Sequence, residues 1–145
     1  GIKERIQGIK IMKIIGLEHI GVAVNSLDTD AKFWNDVMGF KKTHSEYLEN
    51  QGVTIDIYDA PNFRIELLLS MYPDSPIGRF IKRHGKGIHH ICFEVENILD
   101  TIEDLKQKNI KLIGDEILMG AKGSKVMFVH PKSTGGVLVE FAEKV

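Results

Sequence analysis

The sequence is poor in the features that mark secreted, membrane-spanning and nucleic-acid-binding chains. Cys92 is the one cysteine among 145 residues, so no internal disulfide can form, and we expect a reducing compartment, the cytoplasm. No apolar run approaches the roughly 20 residues that a membrane-spanning helix needs. Lysine plus arginine number 19 and aspartate plus glutamate 20, which leaves no basic field for a phosphate backbone. We therefore expect neither nucleic acid nor a membrane as a partner.

What remains is the composition of an ordinary globular protein, with 43% hydrophobic and 27% charged residues. A chain of this length predicts one compact domain, which we place at residues 13–143. Residues 1–12 are interpreted as an N-terminal extension, because Met12 stands just before the first strong strand pattern. Whether residues 1–11 are a leader, a remnant or an ordinary extension is left open.

An internal repeat organises the chain. Residues 16–24 (GLEHIGVAV) align with residues 87–95 (GIHHICFEV), with Gly, His, Ile and Val at matching places. Both segments are typical of strands. The repeat divides the domain into a first module at about residues 16–72 and a second at about residues 87–143.

Each module continues with a helix and three strands. Ser26 and Asn97 are placed to cap helices, the first of which has an apolar face that reaches Met38. Strand-like stretches follow at residues 40–48, 52–59 and 63–71, and again at about 110–118, 124–129 and 136–142. A short capped helix at residues 80–84 links the copies. The pattern predicts an α+β fold in which two tandem βαβββ modules form one open, curved, barrel-like sheet around a cleft.

The repeat also pairs four side chains that bind metals. His19 and His90 hold the same place in the first strand of each module, and Glu66 and Glu140 match late in each module, within RIELL and LVEFA. Carboxylates among apolar strand residues are costly to bury unless a cation or another partner compensates them. Two imidazoles and two carboxylates suit a divalent ion such as Co, Ni, Mn, Zn or Fe with open positions.

The other histidines are weaker candidates for the metal site. Adjacent side chains on a strand face opposite ways, so only one residue of the pair His89 and His90 can point into the cleft, and the repeat selects His90. His44, His84 and His130 lie at predicted strand edges or loops, where we expect surface residues.

The doubled βαβββ pattern with its histidines and glutamates resembles the vicinal oxygen chelate superfamily, over residues 13–143. Within it, the sequence is most similar to the methylmalonyl-CoA epimerases. The similarity rests on LEHIGVAV (17–24), RIELL (64–68), DSPI (74–77), GIHHI (87–91), GAKG (120–123), HPKS (130–133) and GVLVE (136–140). It implies one divalent ion per chain, Co, Ni, Mn or Zn, held by His19, Glu66, His90 and Glu140.

The resemblance implies an isomerase that interconverts the (R) and (S) forms of methylmalonyl-CoA through a metal-stabilised enolate. Glu140 would be both a ligand and one of two proton carriers on opposite faces of the substrate. The second carrier is open, because Ile55 occupies the position where members of this family can have a glutamate. Asp56 is our candidate if a bulge shifts the strand register, and Glu49 or a bound water are alternatives.

An acyl-CoA substrate needs donors for its phosphates. The loop at residues 120–125 offers backbone N–H groups and two lysines, and Lys82, Arg83 and Lys86 form a second basic cluster. Members of the family often form homodimers, to which Phe33 and Met71 could contribute.

Two other functions compete with an epimerase. The first is a metal-dependent glyoxalase I or another metal-dependent member of the superfamily, although the HPKS segment differs from the DPDG-like turn usual in glyoxalase I. The second is a drug-binding protein of the bleomycin-resistance type, against which the complete set of four ligands argues.

Overall fold

The computed structural model describes residues 10–145, in which the order strand, helix and three strands occurs twice. The first copy and the connecting helix comprise β1 Ile14–Val24, α1 Leu27–Lys32, β2 Lys41–Leu48, β3 Val53–Asp59, β4 Arg64–Ser70 and α2 Pro76–His84. The second comprises β5 Gly87–Val95, α3 Ile98–Gln107, β6 Leu112–Met119, β7 Lys125–Val129 and β8 Val139–Glu143. The predicted α+β pair of βαβββ modules is confirmed. Residues 1–9, most of the predicted extension, lie outside the described residues.

Two of the helices begin at the predicted caps. The side chain of Ser26 accepts a hydrogen bond from the backbone N–H of Thr29, and that of Asn97 accepts one from Asp100. The end of the first helix differs from the prediction. α1 has six residues and continues as a π-helical turn, so that Val37 is 72% exposed instead of packed.

The connecting helix starts earlier than predicted. α2 begins at Pro76, not at residue 80, because the Ser75 side chain caps the N–H of Gly78 and proline fits the first helical turn. Within the described residues, no helix has the length and apolar character needed to cross a membrane.

The described chain divides into two compact units. The central unit contains His19–Ile91, and the terminal unit contains the residues up to Glu18 together with Cys92–Val145. β1 and β5 each supply residues to both units. The single domain over residues 13–143 stays a prediction.

In the central unit the strand order is β2-β3-β4-β1-β5, and α1 covers one face of these strands. Val24, Ile65 and Leu67 point toward that helix, since they form a cluster with Ala31 and the nearby Tyr58. Burial of the Tyr58 phenol raises its pKa. Alternation along each strand places the intervening side chains on the opposite face, which we call the open face of the central unit.

In the terminal unit the order is β5-β8-β7-β6, and α3 covers one face. Its core joins α3 to the strands through buried apolar side chains: Val95, Ile98, Leu105, Met127, Val129 and Phe141. On the other face of β7 and β8, Val126 and Ala142 pack around Cys92. The buried thiol of Cys92 is therefore part of a small apolar cluster.

Candidate metal centre

Three of the four predicted ligands meet on the open face of the central unit. β1 lies between β4 and β5, so His19 has the strand of Glu66 on one side and the strand of His90 on the other. β1 and β4 run parallel with Gly21 opposite Glu66, and His19 precedes Gly21 by one strand repeat. Alternation therefore places His19 and Glu66 on the same face, away from α1.

The three side chains are in direct contact. Nε2 of His19 lies 2.9 Å from Nε2 of His90, and Nδ1 of His19 lies 3.1 Å from Oε2 of Glu66. Ligand atoms from the three residues all lie within 4.8 Å of one another. All three residues are buried, with 4–6% of their surface exposed. A carboxylate so deeply buried needs a charged or hydrogen-bonding partner, which the imidazoles and a cation can supply.

The donor set fits a divalent cation. A metal-binding imidazole coordinates through one ring nitrogen while the other makes a hydrogen bond that fixes the ring. His19 meets this requirement through the contact of its Nδ1 with Glu66. His90 meets it through its Nδ1, which lies 2.9 Å from Nδ1 of His89. The two Nε2 atoms lie 2.9 Å apart, close enough for both to bind one cation. Alternation along the strand did not predict that His89 supports the ring of His90.

Glu140, the fourth predicted ligand, belongs to the terminal unit. It is 5% exposed and lies opposite Phe128 in the β7–β8 register, on the face away from α3. Glu66 likewise lies away from the helix of its own unit, so the two glutamates occupy equivalent places in their modules. The role of Glu140 as ligand and proton carrier stays a prediction.

Asp56 lies on the opposite face from Glu66. The β3–β4 register runs without a shift from Val53 to Asp59 and pairs Asp56 with Leu67, which points toward α1. The Asp56 carboxylate accepts a 2.6 Å hydrogen bond from the hydroxyl of Ser45. The proposed catalytic use of Asp56 therefore lacks the bulge on which it depended. Glu49, the other carboxylate considered, is exposed in a short turn after β2.

His44, which we expected to be a surface residue, lies on the open face together with Glu46, which the sequence analysis did not consider. In the β2–β3 register His44 is opposite Ile57 and Glu46 is opposite Ile55. Nε2 of His44 lies 2.8 Å from Oε1 of Glu46, and both side chains are about 30% exposed, at 31% and 30%. A histidine and a glutamate two residues apart on a strand share a face, a signal present in the sequence.

The remaining histidines lie elsewhere. His84 is exposed on α2 and stacks near Phe80, as expected for a surface residue. His130 is partly buried, and its Nδ1 accepts a hydrogen bond from the backbone N–H of Lys132. Neither belongs to the cluster of His19, Glu66 and His90.

The predicted basic clusters differ in their surroundings. Lys86 donates a 2.9 Å hydrogen bond to Asp30, and this bond lowers the pKa of the Asp30 carboxyl. Lys82 and Arg83 occupy the last turn of α2. In the terminal unit, the predicted loop at residues 120–125 forms a short turn, in which the backbone of Lys122 is left-handed. Phe33 and Met71, the predicted interface residues, are exposed.

Gly21 provides a test of this geometry. A Cβ atom at this position would lie 2.2 Å from Cε1 of His90, so the ring must move if alanine is introduced. We expect Gly21→Ala to weaken cobalt binding about 10–100-fold, the range found when the support of a metal ligand is lost. Isothermal titration of metal-stripped protein with Co²⁺ measures this effect.

Gly16 supplies the matched control on the same strand, because a Cβ atom there would have no heavy atom within 4 Å. Gly16→Ala is expected to bind cobalt with the affinity of the unmodified protein. Equal affinities for both variants would show that the ring of His90 does not hold the metal.

The chain belongs to the family whose model is described as the Glyoxalase/Bleomycin resistance protein/Dioxygenase superfamily, which matches residues 18–128. This places the chain in a class of proteins with a shared fold and diverse chemistry.

The individual relatives narrow the class to epimerases. The mitochondrial methylmalonyl-CoA epimerase of Mus musculus is 39% identical over 134 residues, covering 92% of this chain and 75% of that protein. The ethylmalonyl-CoA/methylmalonyl-CoA epimerase of Cereibacter sphaeroides is 36% identical, covering 88% and 96%. The solved Streptomyces coelicolor methylmalonyl-CoA epimerase in complex with 2-nitronate-propionyl-CoA has a TM-score of 0.86 and 30% identity, covering 92% and 99%. This likeness confirms the predicted fold class.

Proposed function

We propose that this protein is a metal-dependent methylmalonyl-CoA epimerase, which interconverts the two configurations at the carbon between a thioester and a carboxylate. The observation that carries the proposal is the buried contact of His19, Glu66 and His90 on the open face of the central unit. The likeness to methylmalonyl-CoA epimerases over about nine-tenths of the chain, 92% for the mouse protein, supports this substrate.

The ligands proposed for the cation are His19, Glu66 and His90, with Glu140 added from the repeat. The cation is Co, Ni, Mn or Zn, each compatible with imidazole and carboxylate donors. When bound, such an ion supplies positive charge to the thioester oxygen as the α-proton leaves. The protein holds both imidazoles in fixed orientations through Glu66 and His89, which limits the reorganisation needed during the reaction.

Proton transfer at the α-carbon needs one carrier on each face of the planar intermediate. Glu140 is the proposed carrier on one face, as the family resemblance implies. Ile55 cannot serve on the other because its side chain has no ionisable group. Asp56 pairs with Leu67 on the face that α1 covers, away from Glu66.

The substrate side of the proposal is an acyl-CoA. Lys82, Arg83 and the lysines of residues 120–125 are proposed to contact its phosphates, while Lys86 is engaged by Asp30. We propose a cytoplasmic homodimer. The single buried cysteine supports a reducing compartment, and the exposed side chains of Phe33 and Met71 support an apolar contact between copies.

An interconversion assay tests the proposed function. Cobalt-loaded protein, incubated with one epimer of methylmalonyl-CoA, is expected to generate the other, and metal-stripped protein is expected to match the spontaneous rate. The hemithioacetal of methylglyoxal and glutathione is the comparison substrate. Conversion of the hemithioacetal without any epimerisation would show that the protein is a glyoxalase I and not an epimerase.

A further inference from the structure

The pair formed by His44 and Glu46 has the composition of an acid–base unit. Nε2 of His44 is 2.8 Å from Oε1 of Glu46, a distance typical of a charge-assisted hydrogen bond. The Nε2–H of His44 donates this hydrogen bond to the carboxylate, and the tautomer with the proton on Nε2 makes Nδ1 the basic atom of the ring. A carboxylate that orients an imidazole in this way is a recurrent arrangement in proton-transferring enzymes.

The strand register places this pair on the same face as the metal ligands. Glu66, Ile57 and His44 form one row across β4, β3 and β2. Neighbouring strands lie about 4.8 Å apart, so the Cα atoms of Glu66 and His44 are separated by roughly 10 Å. That interval accommodates the thioester and α-carbon of a small acyl group between a cation and the imidazole.

The surroundings of the pair suit a group that meets a substrate. Ile55 and Ile57, the neighbours on β3, are buried and apolar, with 4% and 2% exposed. The His44 side chain remains 31% exposed, whereas the His19 side chain is 7% exposed. His44 can therefore receive an incoming molecule while Ile57 limits water between it and Glu66.

We propose that His44 is the second proton carrier of the epimerase, with Glu46 as its positioning residue. This inference rests on the proposed function. The α C–H bond breaks, its electron pair passes into the thioester carbonyl to form an enolate, and the proton forms an N–H bond at Nδ1 of His44. In the reverse direction that N–H bond breaks and the C–H bond reforms on the same face. Inversion is completed when the other carrier, the predicted Glu140, gives up a proton: its O–H bond breaks and that proton forms the new C–H bond.

The test uses the loss of one of two proton carriers. Without His44, the protein can still remove a proton from the epimer that presents it to the remaining carrier, but it cannot complete inversion. We expect His44→Gln to lower kcat for epimerisation about 10²–10⁴-fold. In heavy water, NMR should show α-proton exchange with retained configuration for one epimer and none above background for the other. Cobalt affinity should equal that of the unmodified protein.

Glu46→Gln is the second variant. We expect a smaller fall in kcat than for His44→Gln, an unchanged KM and the same difference in α-proton exchange between the two epimers. His84→Gln is the matched control, because it makes the same chemical change on the exposed surface of α2. Its kinetics should not change.

The possible failures are distinguishable. Suppose that the unmodified protein epimerises the substrate. If His44→Gln then epimerises it at the same rate, or loses α-proton exchange of both epimers equally, the role of His44 is overturned while the proposed epimerase function stands. If the unmodified, cobalt-loaded protein neither epimerises nor exchanges either epimer, the proposed function falls, and the role of His44 falls with it. A variant that loses cobalt affinity in parallel would also contradict the proposal, since it would place His44 in support of the metal.

Discussion

Replacement of His90 by alanine is expected to abolish cobalt binding at micromolar metal and, with it, the epimerase activity. The reason is geometric, because Nε2 of His90 lies 2.9 Å from Nε2 of His19, close enough for both imidazoles to bind one cation. Losing a ligand should weaken binding by more than the roughly 10–100-fold that follows loss of a ligand's hydrogen-bond partner. Isothermal titration and the interconversion assay, performed on the same preparation, measure both effects.

His84→Ala is the control for this change, since His84 is an exposed histidine of the same unit. It should retain cobalt binding and activity. His90→Ala protein that binds a full equivalent of cobalt with unchanged affinity would contradict the metal centre. A thermal unfolding curve of the metal-free variant establishes that the ligand loss acts on a folded protein.

Replacement of Leu67 by alanine should produce the opposite result, a large loss of stability with the metal centre intact. Leu67 has 0% of its surface exposed and packs in the cluster beneath α1, on the face opposite Glu66. Truncation of a fully buried leucine typically lowers the free energy of unfolding by about 2–5 kcal/mol, through lost transfer energy and the cavity left behind. Denaturant unfolding of metal-free protein provides the measurement.

Leu69→Ala on the same strand is the matched comparison. Leu69 faces the same cluster but is only partly buried, so we expect a smaller destabilisation. Cobalt affinity of both leucine variants should equal that of the unmodified protein. A selective loss of affinity in Leu67→Ala would show that the two faces of β4 are not independent.

The repeat explains why the proximity of His19, Glu66 and His90 could be predicted from the sequence. A histidine at the same place in two first strands, and a carboxylate among apolar residues late in each module, are patterns that depend only on strand order and alternation. The structure places His19 and His90 in contact, with Glu66 beside His19, as that reasoning requires. Alternation likewise predicts that Asp56 faces away from Glu66, and the unbroken β3–β4 register agrees.

The features that could not be predicted depend on cross-strand packing, side-chain conformation or a local irregularity of a helix. The face occupied by His44 follows from the β2–β3 register, which shifts between Lys42 and His44. Such an irregularity is decided by cross-strand packing and not by local pattern. The contact between the rings of His89 and His90 has a different origin. Adjacent strand residues point to opposite faces, so only the side-chain conformations bring Nδ1 to Nδ1.

The end of α1 is a third example. The apolar spacing of Trp34, Val37 and Met38 predicts a regular helix, whereas the chain forms a π-helical turn that exposes two of these side chains, Val37 at 72% and Met38 at 47%. The extra residue in the turn rotates the following side chains away from the packed face, which helical periodicity alone does not anticipate.

Exchange of the α-proton tests most directly whether the protein is a metal-dependent epimerase. Methylmalonyl-CoA is incubated in heavy water with cobalt-loaded protein, and loss of the α-proton signal is followed by NMR, with metal-stripped protein as the control for spontaneous exchange. We expect rapid, cobalt-dependent exchange that His90→Ala abolishes. Exchange no faster than the control, in protein shown to hold one equivalent of cobalt, would contradict it.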